Sequence, residues 1–103
     1  MSLLSEIVKT EAVRLVNAVV SSVTTSAAQV RDTENNLMNY PCHGLYIFNP
    51  SLLYTLQYSF DNSTFFSIPM LGSKEVDDHF NELYVKTSSG TISNAEIQVG
   101  KKQ

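Results

Sequence analysis

Cys42-His43, with His79 further along the chain, is the one place where this sequence offers a thiol together with imidazole bases. A thiol nucleophile needs a base within hydrogen-bonding reach and a third group that orients the base. Neighbouring side chains on an extended chain point to opposite faces, and nothing in the sequence directs His79 toward Cys42. A structural cysteine is therefore the better reading. The densest polar group is Glu75, Asp77, Asp78 and His79. Calcium takes several oxygen ligands from a loop with a glycine at its sharp turn, and zinc takes three or four convergent nitrogen or sulfur ligands. The spacing here matches neither, and a short charge run is ordinarily a solvated surface.

The aromatic residues offer a third chemistry. Tyr54, Tyr58 and Phe60, with Tyr46, Phe48, Phe65 and Phe66, could form a stacking platform for a sugar. Core packing is the better reading for Leu56 and Phe60, and the absence of tryptophan weakens the platform further. There is no glycine-rich phosphate loop and no serine, histidine and aspartate in an order that suggests a triad. No catalytic residue, cofactor or metal is expected, and the chain does not read as an enzyme.

Composition narrows the class further. The 103 residues suit one domain. Hydrophobic residues make up 43% and charged residues only 17%, so Ser, Thr and Asn supply much of the polar surface. The net charge is −3, and the seven basic residues do not cluster except at Lys101-Lys102. Binding nucleic acid through phosphates requires a concentrated basic footprint, so no nucleic-acid partner is expected. A single cysteine cannot form an intrachain disulfide. Glu6 and Glu11 interrupt the apolar N-terminal residues, no basic segment precedes them, and no apolar run reaches membrane-spanning length. These features predict a protein made in a reducing cytoplasm with no membrane partner.

The elements that would carry these residues are mostly strands. Leu83 and Val85 alternate with Tyr84 and Lys86, then Ser88-Ser89-Gly90-Thr91 turns the chain, and Ala95, Ile97 and Val99 alternate with Asn94, Glu96 and Gln98. This pattern predicts a closing hairpin over 83–99. Leu45-Tyr46-Ile47-Phe48 is apolar on both faces, which implies burial on both sides or an interface on one. Asn49-Pro50-Ser51 ends that strand. In 53–60, Tyr54, Leu56, Tyr58 and Phe60 share one face. Residues 65–70 are extended, with Pro69 marking an edge or bulge, and 74–79 form a short polar strand.

The N-terminal region differs. Leu4, Val8, Ala12, Leu15, Val16 and Val19 recur at helical spacing, predicting an amphipathic helix over 3–17 with Ser2 as its cap. A competing reading is a strand, because Val13, Leu15, Asn17, Val19, Ser21 and Val23 show partial alternation and valine favours strands. The domain description that follows is an N-terminal helical arm over 1–20 and a β body over 21–103.

The order of elements from Gly44 resembles that of small β-sandwich proteins of tailed-bacteriophage virions. The resemblance rests on the apolar strand ending at Asn49-Pro50-Ser51, the aromatic–polar strand after it, Ile68-Pro69-Met70-Leu71-Gly72-Ser73, and Leu83-Tyr84-Val85-Lys86-Thr87-Ser88-Ser89-Gly90-Thr91 with its last strand. It covers residues 44–99 and consists of turns and core positions. It implies an antiparallel, jelly-roll-like sandwich and a structural role in the virion, as capsid cement or decoration or as a tail, fibre or baseplate subunit. A small carbohydrate- or receptor-binding β module is the alternative. The partners implied are the protein itself, as a trimer or other small oligomer, and a major capsid or tail protein. The surfaces expected to dock are the helix stripe Leu4, Val8, Leu15 and Val19, which something must cover, and Tyr46, Phe48 and Tyr84 on the strands.

Overall fold

The computed structural model describes Glu6, Ile7, Lys9 and residues 13–102, and they are mainly β. Eight strands follow one another: β1 (Val13–Val20), β2 (Ala28–Gln29), β3 (Cys42–Phe48), β4 (Leu56–Ser59), β5 (Phe66–Ile68), β6 (Ser73–Phe80), β7 (Tyr84–Thr87) and β8 (Ala95–Lys102). They form two four-stranded antiparallel sheets, one ordered β1-β8-β3-β6 and the other β2-β7-β4-β5. Among the described residues no helix is long and apolar enough to cross a membrane.

The alternation seen in the sequence explains which faces meet. Val16, Ala18, Leu45, Ile47, Ile97 and Val99 leave the first sheet on one side; Leu56, Tyr58, Ile68 and Val85 leave the second. All of them belong to one buried cluster, which gives the two sheets a sandwich-like arrangement around a shared core. Met38, Leu83 and Ile92, from the connections, close its ends.

Two expectations are corrected. The helix predicted over 3–17 does not extend through Leu15 and Val16: from Val13 the chain is strand, paired with β8 over its whole length from Val13–Lys102 to Val20–Ala95. Ladder pairing with a partner strand outweighs the helical spacing of Leu15 and Val19, and the valines of β1 favour that outcome. A helical arm running to residue 20 is therefore not present. Of its earlier part, Glu6, Ile7 and Lys9 have helical backbone and Ile7 is buried, while Leu4 and Val8 lie outside the described residues. The closing hairpin is also absent. β7 pairs with β2 and β4, whereas β8 pairs with β1 and β3. The connection 88–94 crosses between the sheets, and Ile92 is held against Val23 by two backbone hydrogen bonds.

The sheet edges are protected against pairing with other chains. β2 and β5 are only two and three residues long. β6 carries Lys74, Glu75, Asp77 and Asp78 along its length. Beside β1, Thr33 N donates to Asn17 O at 2.9 Å and Arg14 meets Glu34 at 3.6 Å. The loop behind them is built on Asp32, whose Oδ1 accepts from the Glu34 and Asn36 amides while Oδ2 accepts from the Tyr40 hydroxyl. Burial raises the Asp32 carboxyl, but these bonds and the Lys101 charge outweigh it and leave Asp32 below the usual carboxylate range.

Candidate functional site

The outer face of the β1-β8-β3-β6 sheet collects most of the surface residues expected to dock. Since Val16, Ala18, Leu45, Ile47, Ile97 and Val99 point inward, their neighbours Leu15, Asn17, Val19, Tyr46, Phe48, Glu96 and Gln98 point outward. The register sets them in rows across the sheet. Asn17, Gln98, Tyr46 and Glu75 form one row; Val19, Glu96, Phe48 and Ser73 form the next. Leu15 stands opposite Gly100. Val19 is 57% exposed and Leu15 40%, while Tyr46 and Phe48 are half-buried. Thus Leu15, Val19, Tyr46 and Phe48 share one face, although Leu15 and Val19 reach it from a strand and not from a helix. Tyr84 belongs to the other sheet, opposite Ser59 on β4, and is not part of this surface.

At one end of the same face a paired bulge brings the histidines together. β3 has one extra residue against β8 between Cys42 and Leu45, and β6 has one extra against β3 between Val76 and His79. Gly44, with φ 96°, takes the backbone conformation that the bulge requires. Cys42 and Leu45 consequently both face the core, and His43 leaves the opposite side of the sheet, where it is only 8% exposed. His43 and His79 stack with centroids 4.1 Å apart and planes 15° apart. His43 Nε2 lies 2.6 Å from Asp77 Oδ1, so Asp77 orients the ring.

The arrangement separates the thiol from the bases. Cys42 is buried, and its Sγ donates to Tyr40 O at 3.3 Å. Burial pushes the thiol up to about 11, with Lys101 opposing the shift, so at neutral pH it is protonated and weakly nucleophilic. Stacked imidazoles direct their in-plane nitrogens side by side and not toward a common point, which does not suit a shared metal. Among the described residues no group of three or more His, Cys, Asp or Glu side chains is placed to hold a metal ion. Cys42 is expected to react with a thiol reagent only as the protein unfolds, and Cys42→Ser to cost about 1–2 kcal/mol. Rapid stoichiometric labelling in native buffer would contradict this placement.

The aromatic residues are largely packed. Tyr58 is buried, edge-on to Phe60 at 5.6 Å and tilted against Phe66 at 5.3 Å, and Phe60 stacks on Phe80 at 4.5 Å. Phe66 is 42% exposed, and Tyr46 and Phe48 stand on the other sheet, so the aromatics named do not share one face. The sequence did not reveal a slot of about 220 Å³ beside β2, lined by Val20, Ser22, Thr24, Gln29, Arg31 and Val85 among others. Gln29 Nε2 is buried and has no hydrogen-bond partner. No spacing signal marks this slot, because its walls come from the end of one sheet and the start of the other.

Comparison of the chain with known proteins finds no matching family model, no matching curated protein and no matching solved structure.

Proposed function

We propose that this protein is a structural component of a tailed-phage virion, a jelly-roll protein that decorates or cements the particle through protein–protein contacts. The strand order carries the reading. Sheets ordered β1-β8-β3-β6 and β2-β7-β4-β5 match the two intertwined Greek keys of a jelly roll, an architecture that serves viral capsid proteins and also lectins. Architecture alone does not assign a role; the resemblance over residues 44–99 and the exposed apolar side chains Leu15 and Val19 beside Tyr46 and Phe48 on the outer face of the first sheet support the rest. Tail, fibre and baseplate positions use the same kind of contact and remain within this reading. The partners are other copies of the chain, as a trimer or other small oligomer, and a capsid or tail protein.

On this reading Val19 and Phe48, with Leu15 and Tyr46, meet the neighbouring virion protein. Particles that lack the protein, mixed with purified protein, should show regular added density by cryo-electron microscopy. Val19→Lys combined with Phe48→Lys should reduce occupancy at least tenfold with little change in melting temperature, since both side chains emerge on the outer face and the introduced lysines flank Glu96 in the same row. Undecorated particles with the native protein would reject the reading; full decoration by the double variant would move the contact off this face.

One observation favours the carbohydrate-binding alternative. The buried Gln29 amide nitrogen and the Ser22, Thr24 and Ser26 hydroxyls in the slot suit an uncharged ligand rich in acceptors. Glycan-array binding that is abolished by Gln29→Ala would support it over the virion role.

A further inference from the structure

Among the described residues, the loops at one end of the sandwich carry no charge. Loops 21–27, 49–55, 69–72 and 88–94 gather there, and none contains Asp, Glu, Lys, Arg or His. Backbone bonds tie them into one surface: Val23 with Ile92 in both directions, Thr87 N to Thr24 O, and Ser88 N to Thr55 O. Asn49 joins the two central loops through its side chain, donating to Tyr54 O, Ile68 O and Pro69 O. The connections at the opposite end hold Arg31, Asp32, Glu34, Asp61 and Glu82.

This charge-free end presents large apolar side chains to solvent. Leu52 and Leu53 are 73% and 74% exposed, Met70 51% and Leu71 57%. Their loops are braced: Ser51 Oγ accepts from the Leu53 and Tyr54 amides, and Asn49 Oδ1 accepts from the Ser51 amide. Leu71 also departs from its local preference. The non-glycine residues with positive φ are Asn35, Asn62, Asn94 and Leu71 among those described. Asparagine tolerates that conformation; leucine, at φ 58°, adopts it at a cost. Strain retained at an exposed apolar side chain points to a use for that side chain.

We infer that this end is a contact surface for a second copy of the same chain, related by a two-fold axis. A two-fold contact sets each patch against its own image, so a charge near the axis faces a like charge. On a protein of net charge −3, the charge-free end avoids that repulsion. It also has the charge-depleted, apolar composition of an interface core. Size sets the strength. The two shorter dimensions, 26 and 24 Å, limit an end-to-end contact to roughly 500 Å² per copy, below the roughly 800 Å² of a standard interface. The dimer is therefore weak and forms at high local concentration, as on a surface that already holds many copies.

This inference rests on the self-association in the proposed function and is tested in solution, apart from any particle. Sedimentation velocity on the intact protein, from micromolar to millimolar concentration, should show a monomer–dimer equilibrium that salt does not weaken. Leu53→Asp should raise the dissociation constant at least tenfold. Leu53→Asp mixed with Leu53→Lys at low salt should form heterodimer where each alone stays monomeric. Leu71→Gly relieves the strained backbone, so it should keep or raise the melting temperature while weakening the dimer, separating contact from folding. A monomer throughout would overturn the inference, as would a dimer broken by Val19→Asp and not by Leu53→Asp. Binding of a monomer to phosphatidylcholine vesicles, lost in Leu53→Asp, would assign the end to lipid instead. Decoration of particles by a strictly monomeric protein would sink only the end contact; a dimer that never decorates particles would sink only the virion reading.

Discussion

Asn49→Asp is expected to lower stability by about 4 kcal/mol at neutral pH, close to unfolding a domain of this size. Asn49 is fully buried, and its Nδ2 donates to Tyr54 O at 2.9 Å and to Ile68 O and Pro69 O at 3.1 Å. Its backbone N also donates to Gly72 O at 2.9 Å. The substitution keeps the shape but replaces a donor with a carboxylate oxygen facing three carbonyl oxygens, of which only Pro69 O keeps another donor, the Gly72 amide. A melting temperature lower by more than about 15 °C is the corresponding readout. The pH dependence has a definite sign. The introduced carboxyl is held above its unfolded pKa, so the variant regains stability as pH falls and loses it as pH rises through the folded value. Asn49→Ala takes this donor from Tyr54 O and Ile68 O, while Pro69 O keeps the Gly72 amide, and adds no charge; it should cost about 2–3 kcal/mol with no such pH dependence. Thermal melts of both variants at two pH values decide the matter; an aspartate variant within about 1 kcal/mol of the native protein would show that these bonds do not hold the end together.

Gly100→Ala is expected to cost about 3 kcal/mol through a different mechanism. A Cβ at this position would run into the carbonyl oxygen of His43 and press on the Val13 side chain at 3.3 Å. A flexible side chain can move away from such a contact; a backbone carbonyl inside a bulge cannot, because Gly44 and the paired ladders on both sides fix it. The residue before it, Val99, is buried against the core, so β8 cannot shift outward without exposing apolar surface. Denaturant titration should show a lower midpoint with an unchanged slope, and the His43–Asp77 contact should be disturbed in the histidine signals of an NMR spectrum. A midpoint equal to that of the native protein, with unchanged histidine signals, would mean that the bulge relaxes freely.

Period-two alternation made much of this fold legible. Leu45 and Ile47, Leu56 and Tyr58, and Ile97 and Val99 all face the core as their spacing implies, because the side of a strand on which a side chain emerges is a local property of extended backbone. The turn at Asn49-Pro50-Ser51 and the polar character of β6 are local in the same sense. Partner choice is not local. The alternation in 83–87 and 95–99 is equally compatible with a hairpin and with strands in two different sheets, and the burial of Ile92 against Val23 decides for the second. Residues 13–20 had both a helical and a strand reading, and eight consecutive pairings with β8 selected the strand. The assembly of Leu15, Val19, Tyr46 and Phe48 on one face, the bulge that sets Cys42 and Leu45 on the same side, and the use of Asn49 to join two loops all depend on residues far apart in the chain. Composition showed that few charges were available; only the tertiary structure gathered four uncharged loops at one end, because strand order determines which connections become neighbours.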